Sequence, residues 1–154
     1  MIVELEIRLK RPDEPAPYPL LLSADPSRRC VDDYLRKGNC YLAWLKEELV
    51  GEFVMVRTGP DICEIMNLAV KEEFQGQGYA KKMIAYACGQ AREQGCTSLE
   101  IGTGNSSLNQ LALYQKCGFR IIGIQQDFFI NHYEEAIYEN GIRCRDLLRL
   151  RMEL

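Results

Sequence analysis

The chain has 154 residues, of which 47% are hydrophobic and 27% are charged, a balance typical of one globular domain. Its net charge of -3 argues against a nucleic-acid partner, because phosphate contacts need a basic face. No apolar run approaches the roughly 18 residues of a membrane helix, and the first residues alternate in polarity instead of forming a secretory signal. We therefore expect a single domain over residues 1–154 that binds neither nucleic acid nor membrane.

The seven cysteines lie far apart in the chain, and no two of them form a C-x-x-C pair. An odd, scattered set of this kind predicts neither a disulfide framework nor a zinc site, so we expect no metal. Small buried thiols are typical of a protein in the reducing cytoplasm, which is the expected location.

The first part of the sequence predicts a strand, an irregular connection and a helix. Residues 2–9 alternate apolar and polar side chains with the period of a strand. Four prolines between residues 11 and 20 argue against a helix or a central strand there, so we expect an irregular connection. A helix should follow, with Asp25 as its cap, Pro26 in its first turn and Gly38 at its end.

The middle of the sequence predicts three strands and a long helix. Residues 40–46 and 49–57 are β-rich runs on either side of a polar turn, which predicts a hairpin. Residues 62–70 are apolar on both faces, as is typical of a central strand. Apolar residues recur at helical spacing over residues 76–94 and predict a helix that faces a sheet, with Gly95 as its stop signal.

A short strand and a second helix are expected next. Residues 96–102 have the composition of a strand. Residues 105–119 predict a helix that is capped by Asn105 or Ser106 and ended by Gly118.

The C-terminal part predicts only strands. Residues 119–129 favour one strand, and residues 136–152 predict a hairpin that turns at Asn140 and Gly141. Taken together, the elements predict an α/β domain in which helices cover the faces of a mixed sheet.

The strand-to-helix junction around residues 75–80 predicts an anion site. Gly76 and Gly78 lack the Cβ atoms that would cover the backbone at the start of the helix. A helix N-terminus offers unpaired N–H groups and a partial positive charge, to which Lys81 and Lys82 add. The alternative is a turn that needs glycine only for its backbone angles.

Two common phosphate motifs do not fit this junction. A Walker loop needs Gly-Lys followed by Ser or Thr, which the junction lacks. The dinucleotide fingerprint needs a third glycine or an alanine at the position where Lys81 stands. A dinucleotide-dependent oxidoreductase is therefore a distant alternative.

The pattern Gln75-x-x-Gly78-x-Ala80 after a strand resembles the coenzyme A pyrophosphate loop of the GNAT superfamily of N-acetyltransferases. Downstream, an asparagine-led helix that ends in Tyr-x-x-x-Gly-Phe at Phe119 resembles the second signature of that superfamily. Two signatures in this order are more specific than either alone, and the likeness extends over residues 40–126. Within the superfamily, these motifs are similar to those of ribosomal-protein alanine acetyltransferases and of small bacterial aminoglycoside-type acetyltransferases.

The resemblance implies a fold and a coenzyme site. It implies a mixed, mostly antiparallel sheet whose middle strands splay, with acetyl-CoA as the cosubstrate in the gap. The pantetheine arm would pair with the backbone of Leu68, Ala69 and Val70, and Asn109 would hydrogen-bond the coenzyme. The pyrophosphate would be held by Gln75, Gly76, Gln77, Gly78, Tyr79 and Ala80.

The resemblance also implies direct attack of an amine on acetyl-CoA in a ternary complex. The departing thiolate needs a proton, which a phenol can give, and Tyr114 stands at the position of the catalytic tyrosine in many members. Glu100 matches the proposed base of alanine acetyltransferases, and Glu64 on the preceding strand is its rival. The alternative for each glutamate is a solvated or salt-bridged strand residue.

The acceptor class stays open. A primary amine is implied, and the acidic net charge favours a small cationic amine over an amino sugar or a peptide amine. Residues 126–140, with His132 and several aromatic and acidic side chains, would contact the acceptor or form an ordinary loop. The alternative to an enzyme is an acetyl-CoA-binding sensor or regulatory module without turnover. The final hairpin would offer an edge for a homodimer.

Overall fold

The computed structural model describes residues 3–154, in which helices and strands follow one another closely. The first half contains β1 (Glu6–Leu9), α1 (Tyr18–Ala24), α2 (Arg28–Lys37), β2 (Asn39–Leu45), β3 (Glu48–Arg57), β4 (Ile62–Val70) and α3 (Tyr79–Glu93). The second half contains β5 (Ser98–Gly104), α4 (Leu108–Lys116), β6 (Arg120–Gln125), α5 (Phe128–His132), β7 (Tyr138–Glu139), β8 (Ile142–Arg143) and β9 (Leu147–Glu153). A single 3₁₀ turn, Glu72–Phe74, lies between β4 and α3.

Seven of these strands form one sheet in the order β1-β2-β3-β4-β5-β9-β6, and β7 and β8 form a separate hairpin. Neighbours in the large sheet are antiparallel, except that β4 and β5 run parallel. The predicted mixed, mostly antiparallel sheet between helices is thus confirmed. The dinucleotide fold requires an open, mostly parallel sheet, so that alternative does not fit.

Two hydrophobic layers cover the two faces of the sheet. On one face, Met83 of α3 packs in a cluster with Phe53 of β3. On the other face, Leu21 of α1 and Val31 of α2 pack in a cluster with Val54. Burying one such side chain completely contributes about 1.5–3 kcal/mol, so the helices are fixed firmly on opposite sides of the strands.

The parallel strands β4 and β5 part halfway along their length. They pair only where Ile62–Ile65 faces Ser98–Ile101, although β4 continues to Val70 and β5 to Gly104. On its other edge β4 carries a bulge at Met66, where its register with β3 shifts. Bulges strengthen the local twist of a strand, which turns the end of β4 away from β5. The predicted splay of the middle strands is therefore present.

The N-terminal predictions need three corrections. The proline-rich segment is irregular up to residue 17, but its last residues begin α1, with proline in the first helical turn. Proline is tolerated there because the first N–H groups of a helix have no internal partner. Helix α2 is capped by Ser27, whose side chain accepts a hydrogen bond from the Cys30 N–H, and not by Asp25. The strand predicted over residues 2–9 begins at Glu6, and residue 2 lies outside the described residues.

The helix boundaries in the middle of the chain also differ. Helix α3 begins at Tyr79, three residues later than predicted. Helix α4 follows Ser107 and not Asn105 or Ser106, because both of those residues contact the C-terminal part of the chain instead. The Asn105 Oδ1 accepts hydrogen bonds from the N–H groups of Arg145 (2.7 Å) and Asp146 (3.0 Å).

The C-terminal hairpin is shorter than predicted. Asn140 and Gly141 do form its turn, with φ angles of 55° and 73°, but it contains only β7 and β8. Strand β9 leaves the hairpin and inserts between β5 and β6. The end of the predicted strand 119–129 is instead helix α5. The edge strands of the large sheet are therefore β1 and β6. The hairpin, which we expected to offer an edge, is not part of this sheet.

All seven cysteine thiols are free, and five of them are buried. Among residues 3–154, no helix combines the length and the apolar character that crossing a membrane demands.

Candidate functional site

A cavity of about 410 Å³ lies against the end of β4 that does not pair with β5, and its volume is within the usual size range of small-molecule sites. Its walls come from the end of α1, the end of β4, the start of α3 and one side of α4. Since α1 covers one face of the sheet and α3 the other, the cavity reaches both faces through the gap. The predicted site residues that line it are Leu68, Ala69, Val70, Gln75, Gly76, Gly78, Tyr79, Ala80, Asn109 and Tyr114.

Both glycines of the junction have left-handed backbones, with φ of 76° at Gly76 and 86° at Gly78. Gly78 is the residue that precedes the first turn of α3. A Cβ atom at either position would meet nothing within 4 Å. The conformation, and not crowding, therefore demands glycine in the free protein, and the open space beside it is available to a ligand.

The junction presents a continuous row of free backbone donors. Among residues 3–154, no acceptor takes a hydrogen bond from the backbone N–H groups of residues 76–81. No side chain caps α3, and its first turn contains no acidic residue. Unpaired N–H groups at the positive end of a helix bind anions, and Lys81 adds a positive charge to the same wall. The arrangement suits a ligand with a diphosphate.

Two glutamine side chains hold this loop in place. The Gln75 amide donates to the backbone carbonyl of Val70 (2.9 Å), and the Gln77 amide donates to the carbonyl of Glu73 (3.2 Å). Gln77 does not line the cavity. Its side chain is thus placed to support the loop, while its N–H group belongs to the free row.

The end of β4 offers backbone groups to the gap. The Lys71 N–H donates to the carbonyl of Val50, and antiparallel pairing alternates along a strand. Residues 69 and 67 therefore also face β3, while the backbone groups of Leu68 and Val70 point into the gap. An extended ligand arm can pair with them as an additional strand would.

Tyr114 is the buried tyrosine of α4, with 5% of its surface exposed, and it lines the cavity. Its ring packs edge-on against Phe119, with ring centroids 6.0 Å apart. Burial raises the pKa of the Tyr114 phenol, and the charges of Cys117 and Glu52 act in the same direction. The phenol consequently keeps its proton at neutral pH and can serve as an acid. Asn109 lies on the exposed side of the same helix.

Glu64 and Glu100 face each other across β4 and β5 but do not line the cavity. An Arg149 nitrogen lies 3.2 Å from Glu64 and 3.1 Å from Glu100, and the Arg151 Nε donates to Glu100 at 2.9 Å. Burial raises the pKa of Glu64, and Arg149 opposes this rise. Both carboxylates are thus engaged by arginines.

A chain of hydrogen bonds that the sequence did not predict borders the cavity near α1. The Asn67 amide donates to the Leu21 carbonyl (2.9 Å) and to the Tyr34 hydroxyl (2.7 Å), and Tyr34 donates to Asp25 (3.2 Å). Tyr133 donates to the other Asp25 oxygen at 2.8 Å. The segment after α5 is therefore tied to the corner between α1 and α2.

Glu52 of β3 is the second site feature that sequence reasoning missed. It is fully buried, and its strand partner Ala69 lines the cavity. A single acidic residue inside the apolar run of residues 49–56 was the available signal.

His132 does not belong to the cavity wall. It ends α5, its ring stacks on Phe128 at 4.4 Å, and its Nδ1 lies 2.8 Å from the Phe128 carbonyl. Of the segment 126–140, Tyr133 makes the contact with the α1 corner, whereas Glu134 and Glu135 are exposed.

Comparisons with known proteins agree with this geometry. A model described as the acetyltransferase (GNAT) family matches residues 5–119. An uncharacterized N-acetyltransferase, YvbK of Bacillus subtilis (strain 168), is 50% identical over 98% of this chain and 97% of its own length. The structure of a GNAT family acetyltransferase from Elizabethkingia anophelis with acetyl-CoA bound is 44% identical, covers 97% of this chain and 98% of that chain, and has a TM-score of 0.96.

The likeness to one alanine acetyltransferase of known structure concerns the fold alone. The ribosomal-protein-S18-alanine N-acetyltransferase from Escherichia coli covers 97% of this chain and 94% of its own, with a TM-score of 0.76 and 15% identity.

Proposed function

Because the chain belongs to the GNAT family of acetyltransferases and uses acetyl-CoA, we propose that its cavity transfers the acetyl group to a primary amine. The observation that carries the proposal is the cavity itself. It connects the free N–H row of residues 76–81 with the buried Tyr114 along the unpaired end of β4. A diphosphate at one end would place the thioester at the other.

Each group of cavity residues has a proposed role toward acetyl-CoA. The N–H groups of residues 76–81 bind the diphosphate, and Gln75 holds the loop that carries them. The backbone of Leu68, Ala69 and Val70 runs along the pantetheine arm, with Leu68 and Val70 directed into the gap. Asn109 lies on the wall opposite β4 and hydrogen-bonds the coenzyme.

The transfer proceeds by direct attack in a ternary complex. The acceptor ammonium first loses a proton, since only the neutral amine has a lone pair. The amine nitrogen then forms a bond to the thioester carbonyl carbon, and the carbon–sulfur bond breaks. Tyr114 gives its proton to the departing thiolate, and the second proton that the nitrogen loses on becoming an amide restores the phenol. Positioning of both substrates in the gap supplies a large part of the rate.

The acceptor that we favour is a small cationic amine, ahead of an amino sugar or a peptide amine. The net charge of -3 and Asp25, which follows Ala24 of the cavity wall in sequence, support a cation. An acetyl-CoA sensor without turnover is the second candidate, and only turnover separates it from an enzyme.

An acetylation assay over a panel of amines tests the proposal, with Tyr114→Phe as the variant. We expect wild-type protein to release coenzyme A with at least one small amine. The variant should lose about 10²-fold in kcat, the usual effect of removing a general acid, because the thiolate leaves without a proton donor. Its Kd for acetyl-CoA, measured by calorimetry, should stay unchanged.

Leu113→Ala is a control for packing, because it alters the same cavity wall without removing a proton donor. Tight acetyl-CoA binding with no turnover on any amine would establish the sensor instead. A Tyr114→Phe variant with wild-type kcat at every pH would remove Tyr114 from the acid role.

A further inference from the structure

Glu52 is the least satisfied charged residue of the described chain. None of its surface is exposed, and neither carboxyl oxygen has a hydrogen-bond partner among residues 3–154. An unpaired carboxylate in such a place costs several kcal/mol, so a group of this kind needs an explanation. Burial raises the pKa of Glu52 well above its ordinary value, and the nearby Ala69 N–H opposes the rise only in part.

The position of Glu52 puts this carboxyl directly behind the cavity wall. Glu52 and Ala69 are opposite each other in the β3–β4 pair, where Cβ atoms are about 4.5–5.5 Å apart. Ala69 lines the cavity, and its side chain is a single methyl group. The Glu52 charge also helps to raise the pKa of Tyr114, after burial and Cys117. Its pairing with Ala69 therefore places Glu52 one strand away from the cavity wall.

The surroundings of Glu52 contain no counter-charge. The Glu52 charge contributes to the raised pKa values of Cys40 on β2, Tyr34 on α2 and Tyr114 on α4. Within residues 3–154, no lysine or arginine forms an ion pair with Glu52. From α1, apolar Leu21 belongs to the layer over this face. From β4, Asn67 presents a buried Oδ1 that also has no partner within the described chain.

Glu64 and Glu100 have the opposite surroundings. Both are bound by Arg149, and Glu100 also by Arg151. Their oxygens are already engaged in ion pairs, whereas the oxygens of Glu52 have no partner within residues 3–154. A base works best when its own proton affinity is matched to the working pH.

We propose that Glu52 is the group that removes the proton from the acceptor ammonium, through a water molecule held between its carboxyl, Asn67 and the cavity. The inference rests on the proposed amine acetylation. The ammonium gives one proton to the Glu52 carboxylate and becomes the neutral amine that attacks the thioester. After transfer, Glu52 returns that proton to solvent, and Tyr114 regains the proton that it gave to the thiolate. Glu52 acts through water and is thus a positioning residue of the transfer.

The test compares Glu52→Gln with the wild type in kcat/KM from about pH 6 to about pH 9, a range in which a carboxyl of raised pKa and the amine itself both titrate. Glutamine keeps the size of the side chain but accepts no proton. We expect the loss to grow as pH rises and the wild-type carboxyl becomes ionised, to reach about 10²-fold, and to shrink again where the free amine becomes abundant. Acetyl-CoA affinity should not change.

Glu48→Gln is the matched control, because it makes the same substitution at an exposed position of the same strand, and its profile should match the wild type. Glu52→Asp should keep the wild-type form of the profile at reduced rate. A Glu52→Gln profile equal to the wild type, or a loss that is constant with pH, would overturn the proposal. If the wild type acetylates no amine, the proposed function fails as well, and that outcome is visible without any variant.

Discussion

At the scale of single residues, Glu52 differs from Glu64 and Glu100 because, within residues 3–154, its buried carboxyl has no ion-pair partner. The sequence showed that Glu52 lies inside an apolar strand, and it showed Tyr114 within the second signature. The burial of Glu52 was not visible, because it depends on α1, whose start lies in a proline-rich segment that argued against a helix. Glu64 and Glu100 were visible as strand carboxylates, but their arginine partners come from β9, which the sequence placed in a hairpin.

The raised pKa of Glu52 predicts a pH-dependent stability. The folded protein holds this proton more tightly than the unfolded chain, so the stabilisation is complete below the ordinary carboxyl pKa and is lost as pH rises towards the raised folded value. Each pKa unit corresponds to about 1.4 kcal/mol. Between about pH 5 and about pH 8, the free energy of unfolding should therefore fall less in Glu52→Gln than in the wild type.

Urea unfolding at both pH values measures this difference. Glu48→Gln should follow the wild type at both, since its carboxyl is exposed. If Glu52→Gln and wild type change in parallel with pH, the carboxyl is not held protonated by the fold. If Glu52→Gln is slower than the wild type but no less stable at neutral pH, its loss of rate is not a folding defect.

At the scale of elements, α3 carries the same backbone conformation at both of its ends. Gly78 precedes the helix with φ of 86°, and Gly95 follows it with φ of 81°. At both positions a Cβ atom would meet nothing within 4 Å. Only Gly78 lies beside the free N–H row and the cavity, so the two positions separate the cost of the conformation from the effect on a ligand.

Gly78→Ala and Gly95→Ala should each lose about 1–2 kcal/mol of stability, because an L-residue is strained at positive φ. Only Gly78→Ala should weaken acetyl-CoA binding, by about tenfold or more, which corresponds to 1.4 kcal/mol or more of binding free energy. Calorimetric titration measures the affinities, and urea unfolding measures the stabilities. Equal affinity for acetyl-CoA in both variants would show that the glycine loop does not bind the coenzyme.

Most elements were predictable because their signals are local. The hairpin of β2 and β3, the stripe of α3 and the turn at Asn140 and Gly141 each depend on residues close in sequence. Two features depend on distant partners and were missed. Strand β9 joins β5 and β6 rather than its hairpin neighbour. The bulge at Met66 places Glu64 and Asn67 on one face despite their odd spacing, which no period-two reading allows.

At the scale of the whole molecule, the cavity joins the two faces of the sheet. Helices α3 and α4 approach it from one side and α1 from the other. The row of free N–H groups at residues 76–81 lies at the start of α3, whereas Asp25 and its partners Tyr34 and Tyr133 lie next to α1. Donor and acceptor can therefore enter from different sides and be present together.

Initial rates measured over a grid of both substrates should give double-reciprocal lines that intersect, as expected when both substrates are bound before any product leaves. Coenzyme A should compete with acetyl-CoA and not with the amine. Parallel lines would instead indicate an acetylated form of the protein, and the direct attack would then be wrong.

The two glutamine contacts of the loop have an energetic meaning for ligand capture. With Gln75 tied to Val70 and Gln77 tied to Glu73, the loop that carries the unpaired N–H groups is already held in place in the free protein. On the proposed function, an incoming diphosphate would meet a preorganised cradle, so little chain entropy would be surrendered on association. Affinity at this position would then come from rigidity established during folding rather than from a rearrangement at the moment of contact.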